Sequence, residues 1–193
     1  SEAAAIFARL LAEKNGDTIS TAANTKFADI PAHAWYSGYV KYLSNNGITY
    51  GKSKTIFAPN DAITRAEFTT MAVRFFDVYG DGDAEIMEQF SGFNDVSSGY
   101  WAAEYIKYAA LHGWINGYGD GSFHADREIN RAEVVTIVNR LLGREADEDY
   151  IADNLRKLNT FPDVSRKHWA YYAVMEAANA HTAVLGENES WSK

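Results

Sequence analysis

Two four-residue segments, 64–67 and 130–133, place an arginine at the predicted start of an amphipathic helix. They read Thr-Arg-Ala-Glu and Asn-Arg-Ala-Glu, and their first and fourth residues match a capping box. In a capping box the first side chain accepts a hydrogen bond from the N–H of the Glu, and the Glu carboxylate accepts one from the first N–H. Starting a helix, worth roughly 1 kcal/mol for each cap, is the main role predicted for four residues: Thr64, Glu67, Asn130 and Glu133.

Arg65 and Arg131 need a different explanation, because the helix macrodipole makes a cation mildly unfavourable in the first turn. A cation repeated at this position indicates an anion nearby. Free N–H groups at a helix start already favour a carboxylate or phosphate, and a guanidinium adds a planar donor pair that fits a carboxylate. Two partners are equally compatible with the sequence: an anionic ligand, or an acidic residue of a neighbouring unit such as Asp29 or Asp95.

Aromatic residues near the helix starts are the next candidates. Trp35, Trp101 and Trp169 each begin an apolar stripe, so core packing is the favoured interpretation for them. Exposed rings can also stack on sugar rings. Tyr118 is the better contact candidate, because it lies in a glycine-rich loop that we expect near Arg131.

The elements that position these residues form a repeat. Segments 27–30, 93–96 and 161–164 share a Phe, an Asp two residues later and a final Ile or Val, at offsets of 66 and 68 residues. A tryptophan follows each Phe after eight residues. Such self-similarity is typical of units that bury their apolar faces only against their neighbours.

Each full repeat is predicted as a helix, a long loop and a second helix. Apolar residues recur at i, i+3, i+4 and i+7 after each capping box, and the first residues of the chain fit the same register. Gly47 and Gly113 end the first helices. Phe57 and Phe123 occupy equal places in the loops and are expected to pack each loop onto the core.

The predicted fold is all-α, a compact bundle of helix-loop-helix repeats with pseudo-threefold symmetry. The predicted units are 1–26, the second half of one repeat; 27–80, a full repeat; 81–92, an acidic linker; 93–144, a full repeat; 145–160, an acidic linker with a short helix; and 161–193, the first half of a degenerate repeat.

Composition excludes several classes of function. The net charge of −8 disfavours binding to nucleic acid by bulk charge, and the absence of cysteine removes thiol catalysis and disulfides. No apolar run approaches the ~18 residues of a membrane span. Segment 1–7 resembles the interior of a helix more than a signal peptide, so we expect a piece of a longer protein.

Catalysis and metal binding find little support, so the chain is predicted not to be an enzyme and to need no cofactor. The five histidines do not cluster at metal-ligand spacing, and the chain has no nucleophile elbow, P-loop or dinucleotide fingerprint. Segment 77–88 matches an EF-hand loop weakly, since Tyr79 stands where a ligand is required. An acidic, solvated linker is the favoured interpretation.

In this order and spacing, the motifs are similar to S-layer homology (SLH) repeats. The resemblance rests on the Phe-x-Asp-Val/Ile and Trp openings, the Gly-Tyr-x-Asp-Gly-x-Phe loop at 117–123 and the Arg-Ala-Glu helix starts, and it covers nearly the whole chain except the two linkers. It implies a monomeric pseudo-trimer with ligand grooves between neighbouring units. The resulting ligand-binding candidates are Trp35, Thr64, Arg65, Trp101, Gly117, Tyr118, Asp120, Asn130 and Arg131.

The resemblance also implies a function. SLH repeats attach exported proteins non-covalently to the bacterial cell wall, which implies an extracellular location. Their usual ligand is a secondary cell-wall polysaccharide carrying pyruvate ketals, or in some lineages modified peptidoglycan. The family's arginine contacts the anionic sugar and maps onto Arg65 and Arg131. A pyruvate ketal is a carboxylate on a sugar, which agrees with the anion expected at these helix starts.

Three departures from the family pattern keep alternatives open. The arginine is missing at Ser1-Glu2, segment 51–57 reads Gly-Lys-Ser-Lys-Thr-Ile-Phe, and the last repeat lacks its second helix. Lys52 either adds a cationic contact or belongs to a degenerate loop. The first and last half-repeats are expected to complete one unit, so deleting 1–14 should lower the melting temperature and expose Trp169 to quencher. The rival function is an interaction module that has lost its glycan site.

Overall fold

The computed structural model describes residues 1–80, 90–184 and 190–192. Seven α-helices lie in this part of the chain: α1 (Glu2–Asn15), α2 (Ser37–Asn45), α3 (Arg65–Tyr79), α4 (Ala103–Leu111), α5 (Arg131–Leu141), α6 (Glu148–Asn154) and α7 (Tyr171–Ala178). A 3₁₀ turn, Leu155–Lys157, follows α6. Strands β1 (Thr182–Val184) and β2 (Ser190–Ser192) pair antiparallel.

The all-α prediction is confirmed, and so are most of its local signals. Thr64 and Asn130 each complete a capping box at the start of α3 and α5. Gly47 and Gly113 adopt φ angles of 73° and 69°, the left-handed region that favours glycine after a helix. The strand pair after α7 was not predicted.

The second helices of the repeats form the centre of the bundle. α3 packs against α1 on one side and α5 on the other. The ring of Phe7 in α1 lies 5.2 Å from that of Phe68 and 5.0 Å from that of Phe75 in α3, measured between centroids. All three rings are fully buried, so the contact between α1 and α3 belongs to the main core.

The first helices pack on the outside of this centre, each on the second helix of the preceding unit. α2 packs on α1, α4 on α3, and α7 on α5. A smaller apolar cluster joins α6, α7 and β2 through Ile151, Tyr171, Met175 and Trp191. These contacts cross the repeat boundaries predicted from the sequence, so the domain boundaries stay a prediction. The pairing of the first and last half-repeats into one unit also stays a prediction.

The loop of each full repeat crosses the start of the preceding second helix. The N–H groups of Arg65 and Ala66 donate to the carbonyls of Arg127 and Ala125 at 2.9 Å each. At the start of α1, the Ser1 ammonium donates to the carbonyl of Pro59 at 3.0 Å. A loop therefore forms one wall beside each of these two helix starts.

The prediction that the three repeated tryptophans pack in the core is wrong. Trp35, Trp101 and Trp169 are 54%, 56% and 64% exposed. Each lies in the turn before its helix, whose first residues are Ser37, Ala103 and Tyr171. Residues inside the helices, such as Val40 and Leu43, form the buried stripe instead. Since Trp169 is exposed in the intact chain, quenching of its fluorescence cannot report loss of α1.

Residues 81–89 lie outside the described part of the chain. They hold most of the predicted acidic linker 81–92 and of the weak calcium candidate 77–88.

Candidate functional site

One groove between the units has a volume of about 1150 Å³. It lies where the starts of α1 and α5 meet the outer face of α3, and the loop 57–63 forms part of its wall. Trp35 and Trp101 both line it with exposed rings. We call it the large groove.

Arg131 lines the large groove with its side chain 92% exposed. One terminal nitrogen lies 3.7 Å from a carboxylate oxygen of Glu2, which is itself 76% exposed. Solvent screens a pair of this kind, so it contributes little to stability. The guanidinium therefore remains accessible at the start of α5, where free backbone N–H groups also favour an anion.

Two further cations line the large groove. Lys52 is hydrogen-bonded to the Glu67 carboxylate. Arg74 donates to the hydroxyl of Tyr105 at 3.2 Å, and its guanidinium carbon lies 4.7 Å from the ring centroid of Tyr50. Both cations have closer partners in the protein than Arg131, whose nearest carboxylate oxygen lies 3.7 Å away on an exposed side chain.

The smaller groove, with a volume of about 420 Å³, repeats this arrangement one unit further along the chain. Tyr118, Glu133, Arg140 and Trp169 line it at the positions of Lys52, Glu67, Arg74 and Trp101 in the large groove. Arg65 forms an additional wall. We call it the small groove.

Arg65 is 5% exposed and donates to three acceptors in the protein. Its Nη1 lies 2.8 Å from Glu133 Oε1, its Nε lies 2.8 Å from the carbonyl oxygen of Phe123, and its Nη2 lies 3.3 Å from that of Asn116. Burial lowers the pKa of Arg65, although the nearby Glu133 carboxylate favours the charged form. The guanidinium is thus held between two repeats.

Glu133 is the acceptor at the centre of the small groove. It accepts from the hydroxyl of Tyr118 at 2.9 Å and from the N–H of Asn130 at 3.0 Å, and Arg127 also contacts it. Burial raises its pKa, but these hydrogen bonds and the charges of Arg65 and Arg127 outweigh burial, so the pKa lies below its usual value.

Of the two interpretations of Arg65, the structure therefore favours the ion pair with a neighbouring unit. The predicted partners Asp29 and Asp95 were wrong, since the partner is Glu133. Asp29 and Asp95 accept backbone N–H groups from the loops of their own repeats. Tyr118 was also misplaced, because it contacts Glu133 in the small groove while Arg131 lines the large groove.

Arg131 escapes burial because, among residues 1–80, 90–184 and 190–192, no loop covers the start of α5 as loop 117–129 covers the start of α3. The corresponding segment after α7 contains β1 and β2. The Trp191 side chain of β2 packs with Ile151 of α6 and Tyr171 of α7, and the backbone N–H of Trp191 donates to the Asp147 carboxylate at 3.0 Å. The segment is thus held on α6.

The ion pairs follow the pseudo-threefold arrangement. Arg65 of α3 pairs with Glu133 of α5, and Arg131 of α5 pairs with Glu2 of α1. Glu2, Glu67 and Glu133 occupy equal positions in their helices. Glu67 pairs with Lys52 of its own repeat instead of with an arginine.

A family model for the S-layer homology domain matches residues 26–69 and 92–135. The chain belongs to the S-layer homology family. It is 32% identical to cell surface glycoprotein 1 of Acetivibrio thermocellus over 98% of its length, and 30% identical to the cellulosome-anchoring protein of that organism over 97%. It is 32% identical to the surface-layer 125 kDa protein of Lysinibacillus sphaericus over 74%.

The chain spans a minor part of each of these relatives. It covers 8% of cell surface glycoprotein 1, 40% of the cellulosome-anchoring protein and 11% of the 125 kDa protein. The two matched segments coincide with the two capping boxes and the loops that precede them. The matched segments contribute residues to both grooves, among them Arg131 to the large groove and Arg65 to the small groove.

The nine predicted ligand residues of this S-layer homology chain do not form one site. Trp35, Trp101 and Arg131 line the large groove, whereas Arg65, Gly117 and Tyr118 line the small one. The other three contribute to local structure: Thr64 and Asn130 cap helices, and Asp120 accepts hydrogen bonds from Ser122.

Several groove residues were not predicted as ligand contacts, namely Glu2, Tyr50, Glu67, Arg74, Glu133, Arg140 and Trp169. Arg74 and Arg140 coincide in the repeat register and Trp169 belongs to the tryptophan series, so a repeat alignment contains a signal for them. Within residues 1–80, 90–184 and 190–192, no group of three acidic or histidine side chains could hold a metal ion. None of the described helices has the length and apolar character needed to cross a bilayer.

Proposed function

We propose that this chain is a non-catalytic module that anchors a protein to the bacterial cell wall. Its ligand is an anionic secondary cell-wall polysaccharide, pyruvylated on its sugars, and the large groove binds it. The observation that carries the proposal is the exposed guanidinium of Arg131 in a groove that also presents the exposed rings of Trp35 and Trp101.

The chemistry of the large groove suits a sugar that carries a carboxylate. A guanidinium can hold a carboxylate through two parallel hydrogen bonds, and the start of α5 adds free N–H groups and the positive end of the helix dipole. The tryptophan rings provide broad apolar faces on which sugar rings can stack. The groove volume of about 1150 Å³ accommodates several sugar units.

The small groove is assigned a weaker role. Of the two arginines that line it, Arg65 already donates to Glu133 and to two backbone carbonyls, so an anionic sugar would have to displace an internal ion pair to bind Arg65. Trp169 still offers an exposed ring there. We infer that the small groove contributes stacking and shape, and that a single chain supplies both grooves without a partner copy.

The electrostatics of the whole molecule sharpen this proposal. A chain with a net charge of −8 repels an anionic polymer at long range. Binding must therefore depend on local contacts, so loss of one exposed arginine should have a large effect. Raising the salt concentration screens the general repulsion and the local attraction together.

The proposal can be tested by co-sedimentation with cell-wall sacculi, before and after chemical removal of the secondary polysaccharide. Binding that disappears with the polymer, and that weakens in Arg131→Ala, supports it. Arg156→Ala is a charge-matched control, because this exposed arginine lines neither groove. Binding that survives polymer removal would identify peptidoglycan as the ligand.

A second candidate function is an interaction module with the same fold and no glycan site. The observation that favours it is the pairing of Lys52 with Glu67 and of Arg65 with Glu133, which satisfies two of the cations within the protein. The absence of binding to sacculi, with and without polymer, would favour this candidate over the anchor.

A further inference from the structure

The turn that opens each repeat has the same conformation three times. The N–H of Ile30 donates to the carbonyl of Phe27 at 3.3 Å, and the equivalent distances are 3.2 Å from Val96 to Phe93 and 3.1 Å from Val164 to Phe161. The Phe ring and the carboxylate two residues later form a small surface. We call these surfaces the first platform (Phe27, Asp29), the second platform (Phe93, Asp95) and the third platform (Phe161, Asp163).

The first platform binds the loop of its own repeat. The ring of Phe57 lies 5.4 Å from that of Phe27, between centroids. The Asp29 carboxylate accepts two consecutive backbone N–H groups, from Phe57 at 2.9 Å and from Ala58 at 2.6 Å. The loop is thus held by one aromatic contact and by hydrogen bonds from two adjacent residues.

The second platform binds its loop in the same way. The ring of Phe123 lies 5.1 Å from that of Phe93, and Asp95 accepts from the N–H groups of Phe123 and His124 at 2.7 Å each. Six residues before the aromatic, Gly117 passes so close to Phe93 that a Cβ atom there would lie 2.5 Å from the ring. Gly51 makes the same approach to Phe27.

In the part of the chain that the structure describes, the third platform has no such cover. Phe161 is 44% exposed, whereas Phe27 is 2% exposed. Asp163 is also exposed, and within the described ranges no hydrogen bond to its carboxylate is seen. The platform nevertheless keeps the turn conformation of the two covered copies, so it is formed before any segment binds to it.

The reason for this exposure lies in the hairpin after α7. Trp191 stands at the 68-residue offset from Phe123, in the place of the loop aromatic. Its backbone N–H donates to the carboxylate of Asp147, which precedes α6, at 3.0 Å, and its ring stacks on that of His181 with 3.9 Å between centroids. Asp147 has therefore taken the acceptor role that Asp163 would have, and none of the described residues covers the third platform with a loop.

We propose that the third platform is a docking site for an extended segment of another protein. The two covered platforms define the chemistry of this segment. It carries an aromatic residue, two consecutive N–H groups that are free to donate, and a glycine six residues before the aromatic. Pro162 has no N–H, whereas Ala28 and Asn94 donate to their loops at 2.8 and 3.1 Å, so the segment is held by Phe161 and Asp163 without that bond.

The test uses a fluorescein-labelled peptide with the sequence of residues 117–125, Gly-Tyr-Gly-Asp-Gly-Ser-Phe-His-Ala, and measures anisotropy against the intact chain. Saturable binding is expected, and it should weaken by about tenfold or more in Phe161→Ala, the loss typical of removing an aromatic anchor. Asp163→Asn should weaken it to a smaller extent. A peptide with Ala in place of its Phe should not bind.

Circular dichroism should show that Phe161→Ala keeps its fold, because this side chain is exposed. Arg156→Ala, which leaves the platform intact, should bind the peptide normally. Absence of saturable binding, or equal affinity in Phe161→Ala, would overturn the proposal. A chain that dimerises by sedimentation velocity, and loses this property in Phe161→Ala, would also overturn it, since the occupant would be a second copy. Sacculus binding should not change in Phe161→Ala, so this result is independent of the anchoring proposal.

Discussion

Arg65 and Arg131 occupy the same position in two repeats, and their surroundings are opposite. Arg65 is buried, pairs with Glu133 at 2.8 Å and is enclosed by the next repeat's loop. Arg131 is exposed and faces Glu2 at 3.7 Å. The difference arises from the next segment of the chain, which is a full loop after the first repeat and a hairpin held on α6 after the second. Equality of two residues in a repeat alignment therefore does not imply equality of function.

The largest expected effect concerns the two glutamates of these pairs. Glu133→Ala leaves the Arg65 guanidinium buried without its carboxylate, so it should lower the free energy of unfolding by about 3–5 kcal/mol. Glu2→Ala removes an exposed partner and should change it by less than about 0.5 kcal/mol. Urea denaturation measures both. Equal losses would mean that the two pairs do not differ as described.

The three platforms offer a second comparison. Asp95→Ala removes the acceptor of two backbone N–H groups in the loop and should cost about 2–3 kcal/mol. Asp163→Ala removes an exposed carboxylate and should leave stability unchanged. Thermal melts of the two variants test this expectation. A matching drop in melting temperature for Asp163→Ala would reveal a partner for Asp163.

Ligand binding should depend on Arg131, the arginine whose ion pair contributes little to stability. Arg131→Ala should weaken binding to sacculi by about tenfold, or about 1.4 kcal/mol, while its melting temperature stays unchanged. Arg131→Lys should recover part of the affinity, because it restores the charge without the planar donor pair. Quantitative co-sedimentation gives the affinities. If Arg131→Ala bound as well as the parent chain, the large groove could not be the principal site.

The smallest expected effect is a dependence of stability on acid. The pKa of Glu133 lies below its ordinary value in the folded chain, so its stabilising contribution is complete above the unfolded pKa of 4.5. This contribution should be lost as the pH falls through the lower, folded pKa. Denaturation of the parent chain and Glu133→Gln between pH 7 and about pH 3 tests this. The variant should be less stable at pH 7 and lose less on acidification.

Local sequence signals were accurate wherever a single segment determines the structure. The capping boxes at Thr64 and Asn130, the glycines that end α2 and α4, and the short helix containing Ile151 all depend on hydrogen bonds or apolar spacing within a few residues. The repeat register also correctly indicated that Phe57 and Phe123 hold the loops.

Two of the predictions that failed depended on neighbours distant in sequence, and one depended on a local turn. The partner of Arg65 lies 68 residues away, and Glu133 was assigned only the role of a helix cap. The tryptophans were expected in the core because they begin an apolar stripe, yet the turn before each helix directs them to solvent. Trp191 was not recognised as the third loop aromatic, because its acceptor Asp147 lies in an inserted segment.

The sequence by itself determined the repeats, the helices, their caps and the S-layer homology family, because these depend on residue types at short and regular spacings. Only the tertiary structure decided which arginine is buried, which groove is open and which platform is free. These outcomes depend on whether the next unit supplies a loop over a helix start. That covering is a contact between segments far apart in the chain, and periodicity cannot distinguish a covered copy from an uncovered one.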